Sequence, residues 1–256
     1  MPFWIRCYTG GRQCDLSMDS VNIAEVFSAI ASRSADEAPM PAHVDAVHNQ
    51  KKHWTNVLHE ALGGFAGIRS LTYREESRLD RSALKQFSEK ELVLSKSIRD
   101  KFDKPRTPGR RRPKNQHTSA KFLKYTREFV EHRRCYDGVV ERAAAPVIVS
   151  EVEWLLGYDE LILDFVKLLY VKSALRLFVH RCPDRRRPVL PCLQEFMSCF
   201  AGHVKGETYL VILAMDFDPP GSTIGHYFTV PRSGKLSIDE IAFHPVAGSP
   251  YPWLSR

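Results

Sequence analysis

The run Pro146-Val147-Ile148-Val149-Ser150-Glu151-Val152-Glu153-Trp154 constrains the fold of this chain more than any other stretch. Its first half is apolar without alternation, the pattern of a strand covered on both faces, and such strands lie in sheets flanked by helices. A second valine-rich strand pattern, Cys135 to Arg142, precedes it across three alanines and a proline. Lys121 to His132, before these strands, has Phe122, Leu123, Phe129 and Val130 spaced for one helical face. After them come a helix over Asp159–Lys172, a strand over Ala174–His180 and a proline-started helix over Pro188–His203, striped by Leu190, Leu193, Met197 and Phe200. A buried strand follows over Thr208–Phe217. A last hairpin begins at His226–Val230, before the turn Arg232-Ser233-Gly234. This order predicts an α/β fold with a mixed central sheet flanked by helices, and it contains no internal repeat.

The chain before residue 120 reads as helical. Asp19 or Ser20 caps a helix with Ile23, Val26, Phe27 and Ile30 at helical spacing, ended by the stretch Ala35 to Pro41. A second helix runs from about Val44 to Leu62 and is expected to stop at Gly63-Gly64, with Trp54, Val57, Leu58 and Leu62 on one face and Glu60 beside it. A short turn-rich piece leads to a charged helical pattern from about Ser88 to Phe102. The expected organisation is an N-terminal helical extension over residues 1–40 and one domain over 41–256, with its core in 120–230.

Hydrophobic residues make up 43% of the 256 and charged residues 26%, which excludes a wholly disordered, collagenous or coiled-coil chain. The longest apolar candidate, Leu161 to Val171, is broken by Asp164 and Lys167, so no run reaches the roughly 18 residues of a membrane span. The opening Met1 to Arg6 lacks the order of a signal peptide, and the expectation is a soluble, cytoplasmic protein. Six cysteines form no C-x-x-C pair; Cys192 and Cys199 share a helical face with Phe196 and Phe200 and read as core. His43, His48, His53 and His59 are spaced around a helix rather than along one face, which argues for surface residues and against zinc.

The net charge of +7 is not spread evenly. From Arg99 to Arg134 thirteen Lys or Arg face four Asp or Glu, a local +9. Within it, residues 103–119 carry three prolines, one glycine and no large apolar side chain, so they form a basic loop. Arg110, Arg111, Arg112 and Lys114 are its candidate phosphate contacts, weighed against a merely solvated segment.

Acidic residues interrupt the two valine-rich strands. Glu151 and Glu153, two apart, project from one face, and an antiparallel neighbour brings Asp137 beside them. Converging carboxylates repel one another unless they share a proton or hold a hard cation such as Mg²⁺. The two readings are a metal site and exposed acids at strand ends.

At this point the residues resemble the PD-(D/E)XK, or restriction-endonuclease-like, nuclease superfamily. The stretch from Tyr136 to Arg181 is similar to that core in order and length: an Asp strand, an acidic strand, a crossover helix and a strand ending Phe178-Val179-His180. The resemblance puts Asp137 at the first acidic position and Glu151 at the second. Glu153 stands where the family usually has lysine, and Glu60 matches the glutamate that some members contribute from the first core helix. It implies an Mg²⁺-dependent endonuclease, with Mn²⁺ as a substitute, hydrolysing phosphodiester bonds in nucleic acid, DNA favoured over RNA. The metal ligands would be Asp137, Glu151 and Glu153, with the backbone carbonyl of Val152 as a further candidate. Glu153 would be a ligand or the general base. Lys167 and Lys172 are candidate phosphate-facing cations, against the plainer reading of a surface lysine paired with Asp164 at i,i+3. Two alternatives stay open: a catalytically inactive binding module of the same fold, and a structural protein whose acids pair with Arg133, Arg134 or Arg142. The partner expected is nucleic acid and no membrane, with a homodimer left open.

Overall fold

The computed structural model describes residues 8–9, 12–13, 21–36, 46–103, 118–153, 158–182, 189–215 and 223–246. Two short strands, β1 (Tyr8–Thr9) and β2 (Arg12–Gln13), pair with each other. The main sheet has seven strands in sequence order: β3 (Thr72–Arg78), β4 (Cys135–Arg142), β5 (Ala145–Glu153), β6 (Leu175–Cys182), β7 (Thr208–Met215), β8 (Thr223–Thr229) and β9 (His244–Pro245). The pairs β5/β6 and β6/β7 are parallel and the other four are antiparallel, so the sheet is mixed and the chain is α/β.

Helices cover both faces. On one face α1 (Ile23–Asp36) and α2 (Ala46–Ile68) bury Val26, Phe27, Ile30, Leu58 and Leu62 against Val140, Ile148, Val152, Leu177 and Ile212. On the other, α5 (Tyr158–Tyr170) and α6 (Val189–Met197), with α3 (Lys96–Asp103) and α4 (Ser119–Glu128), cover Val139, Val149, Phe178, Tyr209 and Val211. The central strands alternate between these two cores, so β5 and β6 are apolar on both sides, as the unbroken valine-rich run requires. Helix α1 is part of this sandwich rather than an appendage: Phe27 lies so close to β8 that a Cβ on Gly225 would sit 2.6 Å from its ring.

Several elements differ from the sequence expectation. Helix α2 runs through Gly63 and Gly64 to Ile68, because tertiary packing outweighs the roughly 1 kcal/mol that each glycine costs a helix. The turn-rich piece after it contains β3, whose Thr-Tyr-Arg-Glu-Glu-Ser-Arg sequence lacks apolar alternation because it is an edge strand with one neighbour. The charged pattern from Ser88 is helical only from Lys96, and Leu92 instead forms an isolated bridge with Phe200. Helix α6 stops at Met197 rather than His203. The β4–β5 hairpin turns on Ala143 and Ala144, both at positive φ (48° and 64°), as a tight two-residue turn demands.

Candidate functional site

Asp137 marks the point where β4 and β5 part. Their antiparallel ladder ends at Gly138↔Ser150, and Asp137 and Glu151, one step further, are not paired in it. The Asp137 carboxylate takes over from the backbone there: its Oδ2 accepts the Val152 N–H at 2.7 Å. Gly138 is needed beside it, since a Cβ would lie 2.6 Å from Ser150 Oγ and 3.0 Å from Tyr73 OH. Ser150 donates its hydroxyl to the Gly138 carbonyl, which ties the strands together up to the split.

Glu151 is 1% exposed and points to the α5 side of the sheet. Its Oε2 accepts from Lys167 Nζ at 2.8 Å, and Lys167 also binds Asp164 Oδ1 at 2.6 Å. Asp164 and Lys167 are three apart on α5, so one helical face carries both toward β5. Tyr136 donates its hydroxyl to the Lys167 carbonyl, and the Lys167 ammonium lies over the Phe129 ring, 5.5 Å from its centroid. Burial pushes the Glu151 carboxyl well above its ordinary range; Lys167 opposes this, while Asp137 and Asp164 add to it. Burial lowers the Lys167 pKa, but Glu151 and Asp164 outweigh it and hold the ammonium above its usual value. Lys167 thus bridges two carboxylates, Glu151 and Asp164, and Asp137 lies beside Glu151. The second oxygen of Glu151, Oε1, is buried with no hydrogen-bond partner among the described residues.

The sequence candidates divide accordingly. Asp137, Glu151 and Lys167 come together. Glu153 shares the Glu151 face but lies a two-residue step further along β5, in register with His180, and it is 4% exposed. Among the described residues no group of three or more His, Cys, Asp or Glu side chains is placed to hold a metal, so the expected three-carboxylate set of Asp137, Glu151 and Glu153 is not formed. Glu60 turns away: its carboxylate binds Arg33 of α1 at 2.5 and 2.7 Å. One residue earlier on α2, about 100° round the helix, His59 takes the inner position, with Nε2 3.1 Å from the Asp137 carbonyl and Nδ1 3.4 Å from Glu75 Oε2. Its signal was available, because His59 stands three before Leu62 and seven before Ala66, on the buried stripe. Lys172 is remote, donating to the Ser82 carbonyl. Arg110, Arg111, Arg112 and Lys114 lie outside the described residues, as does His43. Arg133 and Arg134 have no carboxylate partner among the described residues, so the acids are not their counter-ions.

The two carboxylates suit a hard cation. Mg²⁺ is typically held by one or two carboxylates, with waters and substrate phosphate completing its shell, and Glu151 Oε1 is an acceptor still to be satisfied. Compared with protein-family models, curated proteins and solved structures, the chain matches none. No described helix is long and apolar enough to cross a membrane.

Proposed function

We propose that this protein is a metal-dependent nuclease with a restriction-endonuclease-like core, hydrolysing phosphodiester bonds, most readily in DNA. One observation supports the reading: where β4 and β5 separate, Asp137 lies beside the buried Glu151, whose Oε2 holds Lys167 while its Oε1 meets no hydrogen-bond donor among the described residues. A buried carboxylate oxygen left without a donor is costly in a structural ion pair and useful at a cation site.

Asp137 and Glu151 would hold the ion. A bound Mg²⁺ would supply Lewis-acid polarisation of the scissile phosphate and lower the pKa of an attacking water. Lys167, kept charged by Glu151 and Asp164, would hold the non-bridging oxygens of the phosphate. In this reading the phosphate-facing cation comes from α5, whereas members of the superfamily more often carry a lysine at the position that Glu153 occupies here. Tyr136, through the Lys167 carbonyl, anchors the helical turn that carries the ammonium. His59 bonds the Asp137 carbonyl from beneath and fixes the backbone at the split.

A binding module without chemistry is the second reading, supported by Lys167 already occupying Glu151 Oε2. Metal titration separates the two. Paramagnetic Mn²⁺ binding followed by electron spin resonance should show a site in the wild type that Asp137→Asn and Glu151→Gln both weaken at least tenfold. Equal Mn²⁺ affinity in all three proteins would leave the binding module standing.

A further inference from the structure

Beside the acids lies a cavity of about 490 Å³ that none of the site residues except Lys167 reaches. Its walls include Arg78, Tyr125, Phe129, His132, Arg133 and Lys167. The composition is one-sided: Arg78, Arg133, Lys167 and His132 line it with two aromatic rings, Arg133 over Tyr125 and Lys167 over Phe129, and none of the described lining residues is acidic. Among the described residues the two arginines are uncompensated. Arg78 donates only to the His132 carbonyl, at 2.5 Å, and the Arg133 guanidinium lies 5.7 Å from the centroid of the Tyr125 ring; neither meets a carboxylate among the described residues. Three other exposed arginines are answered by acids, Arg69 by Glu25, Arg127 by Glu89 and Arg232 by Glu240, whereas Arg78 and Arg133 stand together on one cavity without such a partner among the described residues.

The backbone is built around this cavity. Helix α4 passes at Phe129 into a five-residue π-helix, Phe129–Arg133, closed by the Arg134 N–H donating to the Phe129 carbonyl at 3.0 Å. Arg134 then adopts a left-handed conformation, φ 54°, that reverses the chain into β4. The π turn supplies Phe129, His132 and Arg133 to the cavity, while Arg78 enters from β3, where it pairs with Cys135. Wide turns of this kind are uncommon and concentrate at functional sites.

We infer that this cavity is a phosphate-backbone subsite: it takes a phosphodiester of a nucleic-acid strand next to the one presented to Asp137 and Glu151. Arg78 and Arg133 supply paired N–H donors that match phosphate geometry, and Tyr125 offers a ring against which the adjoining base packs. Lys167 joins the two sites, since it lines the cavity and binds Glu151. The position of the subsite beside a scissile phosphate rests on the nuclease reading; its affinity for the strand does not.

The experiment measures binding of fluorescein-labelled 20-nucleotide single-stranded DNA, its duplex and the matching RNA by anisotropy in EDTA, where no cleavage occurs, between 50 and 300 mM KCl. The proteins are the wild type, the double variant Arg78→Gln/Arg133→Gln, and a control in which two exposed lysines elsewhere, Lys90 and Lys235, become Gln. Circular dichroism and thermal melting confirm that each is folded. Loss of two phosphate contacts should weaken binding on the order of fiftyfold at about 0.1 M salt and make the log affinity against log salt slope shallower by about 1.4 on single strands or about 1.8 on duplex. The control should shift neither. A double variant that binds with unchanged slope, or a wild type that binds none of the three probes, would overturn the subsite. Cleavage in Mg²⁺ by the same proteins keeps the two ideas apart. A wild type that binds through these arginines but cuts nothing would sink the nuclease reading alone; one that cuts while the double variant binds normally would sink the subsite alone.

Discussion

Removing Lys167 and removing Glu151 should have opposite consequences, although the two form one ion pair. Lys167 is 13% exposed and Glu151 1%, and at 2.8 Å their gross attraction is roughly 6 kcal/mol for an effective dielectric near 20. In Lys167→Met the methylene stem is kept and the charge is lost, leaving the Glu151 carboxylate buried without the ammonium that pairs it. Breaking a buried pair in this way costs about 3–5 kcal/mol. Glu151→Gln instead removes the most crowded negative charge, and Lys167 retains Asp164 at 2.6 Å, so that variant should stay within about 1 kcal/mol of the wild type or exceed it. The pH dependence follows from the direction of the Glu151 shift. A carboxyl whose folded pKa lies above its unfolded one contributes stability at low pH and loses it as pH rises toward the folded value. The Lys167→Met deficit should therefore grow between pH 5 and pH 8, and millimolar Mg²⁺ should recover part of it by binding the vacated oxygens. Urea unfolding at three pH values, with and without Mg²⁺, measures all of this. If Lys167→Met lost less than about 1 kcal/mol at pH 8, or if Glu151→Gln lost as much as Lys167→Met, the pair would be an ordinary structural bridge and the reasoning would fail.

Under the proposed function, Glu153→Lys introduces the lysine usual at this position in the superfamily the chain resembles but adds a second ammonium near a site that already has Lys167, and it should lose activity; tolerance of that change, with Glu153→Gln slowed less than tenfold, would remove Glu153 from the chemistry. Replacing Arg110, Arg111, Arg112 and Lys114 by Gln should weaken nucleic-acid binding similarly for all sequences and flatten the salt slope by up to about 0.9 per lost contact on duplex, whereas an unchanged slope would make the loop a tether. His226, 0% exposed, has its pKa lowered to about 4 by burial, so the stability it leaves intact above pH 6.5 is lost as pH falls toward 4. Between pH 7 and pH 5 the wild type should lose about 2 kcal/mol more than His226→Leu in urea unfolding, and equal losses would refute the assignment.

The parts of this fold that were legible in sequence are those where one physical signal dominates. Strand β5 announces itself because both of its faces are covered, β4 by its valine-rich run, β6 by its alternation and α5 by its helical length. Strand β3 was illegible for the complementary reason: an edge strand with exposed Arg74, Glu75 and Glu76 has no apolar face to show. The glycines at 63 and 64 misled because helix propensity is a small term beside the packing of α2 on the sheet. At the site, Asp137 and Glu151 could be named from the two-residue strand period and the antiparallel neighbour. The choice of Lys167 over Lys172, and of His59 over Glu60, depends on helix rotation relative to the sheet. One residue is 100° on a helix, so a small error in phase moves a side chain from the site to the surface. The cation cluster of Arg78 and Arg133 joins residues 55 apart in sequence through β3–β4 pairing, and no local pattern carries that.

The most direct measurement of the central claim is strand cleavage itself. Supercoiled plasmid, linear duplex, single-stranded DNA and RNA are incubated with wild type, Asp137→Ala and Glu151→Gln in Mg²⁺, Mn²⁺ or EDTA, each protein first shown to be folded. The wild type should cut DNA in Mg²⁺ or Mn²⁺, EDTA should stop it, and both variants should lose at least a hundredfold in rate while keeping DNA affinity in EDTA. Absence of cleavage on all four substrates, or cleavage that survives EDTA and the loss of Asp137, would contradict that claim.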